Sequence, residues 1–305
     1  MALSIKNIKR WYNMLAGKSV WHVNQDIGKC FSKKKVKGYY NNLTEKVTMM
    51  PELLDTEDLP KLIIGKDKYV ESGVAIFQYG LGAYDLYLQT GNDKYHKKFL
   101  QTVDWAVKKQ ERSGAWDNFS YFYPDHPYGA MAQGEGSSLL IRAFIDSGNK
   151  DYLERAQSAI DFMLKDKEQG GTTEYSDGVI LLEYPHRKAV LNGWIFAWWG
   201  LYDYVIATND NTHYKAVLDR SCLTLVKELP QFKNNYWSVY DLEGRIASPF
   251  YHNLHIAQMQ AMYELTGNEV FNEYARRWER QQNNPIFKTM AFIKKAAQKI
   301  MEKPT

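Results

Sequence analysis

Only two cysteines occur in the 305 residues, Cys30 and Cys222. They lie far apart with no metal or redox spacing, which argues against a disulfide framework or a zinc ribbon. Long apolar runs are missing as well. Even Leu191 to Ile206 is too short for a bilayer and carries Asp203. Charge of one sign is not in large excess: the net value of +4 is too small to argue for nucleic acid, yet compatible with an anionic substrate. The first residues, Met1-Ala2-Leu3-Ser4-Ile5-Lys6, lack the continuous apolar core of a secretion signal. A soluble, cytoplasmic protein without a nucleic-acid partner is the expectation.

Aromatic residues are abundant instead. The 22 tyrosines and 9 tryptophans exceed what a core alone requires, and such rings offer a flat apolar face with a polar edge that suits stacking on sugars. A core that happens to be filled with aromatics is the plainer alternative.

The organising signal is a repeat. Thr90-Gly91-Asn92, Ser147-Gly148-Asn149, Thr208-Asn209-Asp210 and Thr266-Gly267-Asn268 recur in equivalent contexts, with Asn92, Asn149, Asn209 and Asn268 spaced by 57, 60 and 59 residues. Each follows an apolar helical pattern and precedes a second helix with an aromatic near its start (Tyr95, Tyr152, Tyr214 or Phe271). Gly or Asn after a last helical turn supplies the left-handed backbone that ends it. The spacing predicts inner helices over 74–89, 131–147, 191–207 and 253–266. Partners are expected over 94–110, 151–165, 212–229 and 269–282. Helix pairs at this period imply a solenoid or a closed toroid. Leu191 to Trp199 is apolar on most faces, so that helix is enclosed. The fold class expected is all-α: an α/α toroid of about four helical hairpins, spanning 73–285.

Three long loops, 111–130, 166–190 and 230–252, each join an outer helix to the next inner one, so they gather at one end. Loops of this length are usually functional. Short strands are expected near Gly170-Gly171-Thr172-Thr173 and between Tyr236 and Ser248. Residues 1–72 stand outside the repeat as an N-terminal arm, with Lys33-Lys34-Lys35 and Gly38-Tyr39-Tyr40-Asn41 reading as a polar stretch with a turn. The tail 286–303 is a basic amphipathic helix. It suits either a membrane surface or, the reading adopted here, a terminal helix packed on the toroid.

Several residues in the loops could carry chemistry. Glu183 and Tyr184 sit side by side on a turn bounded by Pro185. Only about a thousandth of an ordinary tyrosine is phenolate at neutral pH, so use of Tyr184 as a base needs about 4 kcal/mol of help. His186, Arg187 and Lys188 follow and could supply it. His252 and His255, three apart after Tyr251, share a helical face, but no third metal ligand has suitable spacing. Tyr240-Asp241-Leu242 is followed by Arg245, the residue type that grips a carboxylate through two parallel hydrogen bonds. Arg245 could equally pair with Asp241 or Glu243. In Met131-Ala132-Gln133-Gly134-Glu135-Gly136 the glycines permit close approach of a ligand or of another helix.

In order along the chain stand Gln78-Tyr79-Gly80-Leu81, Ala130-Met131-Ala132-Gln133-Gly134, Glu183-Tyr184-Pro185 with Leu191-Asn192-Gly193, Gly200-Leu201-Tyr202-Asp203, Tyr240-Asp241-Leu242, and Tyr251-His252 with His255-Ile256. This ordered set resembles the C-terminal catalytic domain of the D-glucuronyl C5-epimerases, the heparan sulfate and heparosan enzymes, over about residues 72–282. The resemblance implies an α/α barrel and catalytic roles for Tyr184, Tyr240, Tyr251 and Glu183. Substrate contacts are expected from Arg245, Gln133, Tyr79, Asn192, His252, His255 and Arg187. The family's arginine directly follows its Tyr-Asp-Leu; here Glu243 holds that position and Arg245 comes two later. The β-rich N-terminal domains of the animal enzymes are expected to be missing or reduced to the first 70 residues, which suits a microbial, single-domain relative.

The expected activity is inversion of C5 in a uronate residue of an acidic polysaccharide or oligosaccharide, glucuronate becoming iduronate, with no metal or redox cofactor. Tyr184 and Tyr251 would act on opposite faces, Glu183 assisting one transfer, with Tyr240 and Arg245 holding the developing charge. A uronate lyase, a toroid glycoside hydrolase using carboxylates such as Glu183, Glu135 and Asp117, and a non-catalytic glycan-binding protein remain the alternatives. The polymer and the oligomeric state, a homodimer included, are open.

Overall fold

The computed structural model describes residues 23–64, 68–210 and 212–301. The N-terminal hexapeptide and the end of the tail beyond 301 lie outside them.

A short helix, α1 (Thr44–Thr48), precedes four helical hairpins: α2 (Gly73–Thr90) with α3 (Asp93–Lys109), α4 (Ala130–Ser147) with α5 (Lys150–Met163), α6 (Leu191–Thr208) with α7 (His213–Glu228), and α8 (Pro249–Thr266) with α9 (Glu269–Gln282). A terminal helix, α10 (Pro285–Met301), follows. Helices α2, α4, α6 and α8 pack side by side in sequence, each backed by its own partner. The fold is the all-α, α/α toroid expected.

The repeat works by punctuation at both sides of each hairpin turn. Gly91, Gly148 and Gly267 end α2, α4 and α8 in the left-handed region, and Asn209 does so for α6 at φ 53°. The asparagines after the glycines have a second function the spacing did not reveal. Asn92, Asn149 and Asn268 accept side-chain hydrogen bonds from the amides two residues on, capping the outer helices, a contribution of about 1 kcal/mol each. Helix α8 starts earlier than expected because the Ser248 hydroxyl accepts from the Tyr251 amide and Pro249 fills the first helical position.

Helices α4 and α6 cross almost backbone to backbone. A Cβ on Gly200 would meet the Gly134 carbonyl oxygen at 2.3 Å, and one on Gly134 would meet the Ala197 Cα at 2.6 Å. Close helix approach, rather than a ligand, therefore accounts for the glycine at 134.

Two small antiparallel hairpins decorate the toroid: β1 (Leu62–Ile64) with β2 (Lys68–Val70), and β3 (Thr173–Glu174) with β4 (Ile180–Leu181). The strands expected between 236 and 248 reduce to single bridges, Lys233 with Ser238 and Val239 with Ile246.

The stretch read as polar, Gly38 to Asn41, proves to be core. Tyr39, Tyr40 and Leu43 are at most 1% exposed. The Tyr39 amide donates to Asp85 at 2.9 Å, and the Tyr40 hydroxyl donates to Asp203 at 2.5 Å. Arg142 joins them, donating to Asp203 at 2.6 Å and to the Gly38 carbonyl at 3.0 Å. Long-range pairing of polar groups, invisible to periodicity, draws the segment inward. Removing one partner of a buried ion pair strands the other charge. Arg142→Met is therefore expected to destabilise the fold by about 3–5 kcal/mol, read from the midpoint and slope of urea unfolding.

Helix α10 docks through Ala291 onto Trp237, Ile246 and Ala247, and leaves Ile286, Met290 and Ile293 exposed. Among the described residues no helix is long and apolar enough to cross a membrane.

Candidate active site

The three long loops meet at the end of the toroid where the inner helices begin. The Ala130 amide donates to the Leu182 carbonyl, and the Leu191 amide to the Tyr240 carbonyl. Val190 pairs with Asp241 in an isolated bridge. These backbone contacts lock the 183 loop between the starts of α4 and α6, and hold the 240 loop against it.

Glu183 is 7% exposed and tucks against the first turn of α6. A Cβ on Gly193 would meet its Oε2 at 2.3 Å, so glycine is what allows the carboxylate to lie there. Oε2 is buried and has no hydrogen-bond partner among the described residues. Burial raises the Glu183 carboxyl to about 7, while the Tyr184 hydroxyl and the Arg245 charge pull the other way. Burial wins, leaving a group that takes up and releases a proton near neutrality.

Tyr184 and Tyr240 lie close to it, and Tyr251 lies against Tyr240. The Tyr240 and Tyr251 rings lie 4.8 Å apart at 61°. Burial first, then the Glu183 charge, holds the Tyr184 and Tyr240 phenols well above their ordinary range. Both are neutral phenols at physiological pH, able to donate hydrogen bonds but not to act as ready bases. Tyr184 stacks on Phe119 at 4.6 Å and meets Tyr123 edge-on. Arg187 donates to the Tyr123 hydroxyl at 3.1 Å and lies 5.6 Å from the Tyr184 ring centre. Phe119 and Tyr123, from the loop before α4, are site residues that sequence reasoning missed. Their aromatic type was the available signal.

Arg245 is held by Asp241, which is fully buried and also accepts from the Glu243 and Arg245 amides. A second carboxylate, Glu243, lies 3.4 Å from the Arg245 guanidinium. Both pairings weighed for Arg245 thus occur, and its guanidinium still lies 5.9 Å from the Tyr240 ring centre.

Five of the expected substrate contacts lie in the interior. His252 and His255 are fully buried and share the Ser238 hydroxyl, their Nδ1 atoms lying 2.8 and 2.9 Å from it. His252 also stacks on Trp237 at 3.6 Å. The helical face they share points into the wall behind the site, and burial lowers both imidazoles far below their usual range. Gln133 is buried and bonds the Trp116 amide and carbonyl, tying the preceding loop to α4. Tyr79 is fully buried in the core. Asn192 is 3% exposed, its backbone carbonyl accepting from Gln258 at 3.2 Å. Glu135, offered as a hydrolytic carboxylate, is buried and bonded to Gln78 at 2.7 Å.

Residues 114–280 match the family model described as D-glucuronyl C5-epimerase C-terminus. A D-glucuronyl C5-epimerase of Caenorhabditis elegans is 27% identical over 215 residues, covering 61% of this chain and 35% of that protein. An uncharacterised protein of Methanocaldococcus jannaschii is 28% identical over 157 residues, 49% of this chain and 51% of that one. The chain thus spans about a third of the worm enzyme's length and about half of the archaeal protein's. Similar solved structures include a cellobiose 2-epimerase from Spirochaeta thermophila (TM-score 0.54, 10% identity, covering 92% of this chain and 86% of that one). Another is an unsaturated glucuronyl hydrolase from Bacillus sp. GL1 (TM-score 0.51, 11% identity, 82% and 66%). At such identities the likeness is one of fold.

Proposed function

Because this chain belongs to the D-glucuronyl C5-epimerase C-terminal family, we propose that it inverts C5 of uronate residues in an acidic polysaccharide or oligosaccharide, converting D-glucuronate to L-iduronate. The observation that carries this reading is a carboxyl titrating near neutrality, Glu183, gathered with three tyrosines and an arginine at one mouth of the toroid.

The chemistry follows from the acidity of C5. Loss of the C5 proton leaves an electron pair that spreads into the adjacent carboxylate, where cationic and phenolic donors stabilise it, the electrostatic effect that usually contributes most. Glu183 accepts the proton as the C5–H bond breaks. Tyr251 then delivers its hydroxyl proton to C5 from the opposite face, and exchange with solvent restores both groups. The pairing of Tyr184 with Tyr251 expected from sequence is revised here. A phenol kept protonated by burial and by an adjacent carboxylate serves better as a donor to Glu183 than as the base. Tyr240 and Arg245 face the developing charge.

A glycoside hydrolase needs two carboxylates flanking the bond, and the buried, Gln78-bonded Glu135 does not suit that task. A lyase shares the proton abstraction and differs in expelling the C4 substituent. Incubation with a glucuronate polymer such as heparosan separates the two. Iduronate signals in the proton NMR spectrum, without ultraviolet absorbance from an unsaturated sugar, support epimerisation. Absorbance growth without iduronate would overturn it.

The pH dependence has a defined sign. Glu183 must be ionised to accept the proton, and its carboxyl titrates at about 7. Epimerisation kcat/KM is expected to rise about tenfold per pH unit below that point and to level above it. A profile flat from pH 5 to 8 would count against Glu183 as the base.

A further inference from the structure

Arg245 is already engaged within its own loop. Asp241 and Glu243 both engage Arg245, so this trio carries a net negative charge before Glu183 adds its own. Arg187 stands on the Tyr184 side of the mouth, and a second cation beside Tyr240 would strengthen the hold on a sugar carboxylate there. Such a cation stands on the C-terminal helix, beyond the last residue of the family match.

Helix α10 lies across the loop that carries Arg245. Gln298 accepts from the Ile246 amide at 3.0 Å and donates to the Gly244 carbonyl at 3.4 Å. Ala291 is buried against Ile246 and Ala247. Positions 291, 295 and 298 fall on one helical face, so Lys295 sits between these two anchors. Its Nζ lies 5.7 Å from the centre of the Tyr240 ring, where the Arg245 guanidinium lies at 5.9 Å. Lys288 and Lys294 on the same helix are exposed, while Lys295 is half-buried.

We propose that Lys295 is a substrate-binding residue, the second cation for the uronate carboxylate, completing with Arg245 the subsite beside Tyr240. The C-terminal helix is then part of the active site and not an appendage. The proposal deepens the uronate reading and rests on it. It also answers the displacement of arginine in Tyr240-Asp241-Leu242-Glu243. The acidic residue that occupies the position after Leu242 draws on Arg245, and Lys295 places a second cation beside Tyr240 from another element.

The test compares wild type with Lys295→Gln and Lys295→Arg in epimerisation of heparosan. Lys295→Gln is expected to raise KM about five- to tenfold with kcat changed less than KM, and Lys295→Arg to recover most of the loss. Unchanged kinetics in Lys295→Gln would overturn the proposal. So would equal loss in both variants accompanied by a lowered melting temperature, which marks a structural role. Binding without turnover separates this proposal from the uronate reading. A glucuronate oligosaccharide and its carboxyl-reduced counterpart are titrated into wild type and Lys295→Gln. Preference for the carboxylated ligand in wild type, diminished in the variant, supports the subsite even if no epimerisation is found. Equal preference in both proteins overturns it.

Discussion

Glu183→Gln is expected to lower epimerisation by about 10²–10⁴-fold, the usual range for loss of a positioned acid–base group. The substitution is nearly isosteric and keeps the contact with Gly193, so the loss is not expected to come from misfolding. Stability supplies an independent check. Burial raises the Glu183 carboxyl from 4.5 to about 7, so the folded protein favours the protonated form. Its contribution is fully present below the unfolded value and is lost as pH rises through about 7. A neutral amide removes that ionisation cost, up to about 3 kcal/mol at alkaline pH. Glu183→Gln should therefore melt above wild type at pH 8 and match it at pH 4. An inactive variant that is also more stable is what a strained functional group leaves behind when replaced. Retention of activity would remove Glu183 from the chemistry.

Tyr251→Phe carries the second large effect, again about 10²–10⁴-fold in epimerisation rate. Only the hydroxyl is lost. The ring keeps its contacts with Tyr240 at 4.8 Å and Phe250 at 5.0 Å, and the Ser248 cap to the Tyr251 amide does not involve the side chain. Fold and KM should change little while kcat falls, since the hydroxyl acts on the transition state. A non-catalytic glycan-binding protein would behave otherwise, with glycan affinity and function nearly unaffected by either substitution.

The toroid was legible because its information is local and periodic. Gly91, Gly148, Asn209 and Gly267 mark hairpin turns by a backbone requirement that any copy of the unit must meet. Apolar faces of the right period gave the helices between them. Helix ends moved by no more than about two residues except at Ser248-Pro249, where the cap starts α8 earlier.

The site was legible in part, for the same reason. Long loops in equivalent positions of a repeat must gather at one end, which brought Glu183, Tyr240 and Tyr251 together on paper. Direction within a helix was not legible. Tyr251 and His252 are neighbours in sequence, yet one faces the mouth and the other stacks on Trp237 in the wall. Spacing alone grouped His252 with His255 correctly but could not say which way their shared face points. Pairings between distant polar groups were equally hidden. Tyr40 with Asp203, Arg142 with Gly38, and Lys295 beside Tyr240 depend on how separate elements dock. No local pattern encodes them.

The most direct measurement is C5 hydrogen exchange in deuterated water with a glucuronate polymer, followed by mass spectrometry and sizing of the chains. Deuterium at C5, accumulating together with iduronate while chain length stays constant, is the expected result. Absence of deuterium at C5 on every uronate polymer tried, with protein that binds those polymers, would contradict proton exchange at Glu183 and Tyr251.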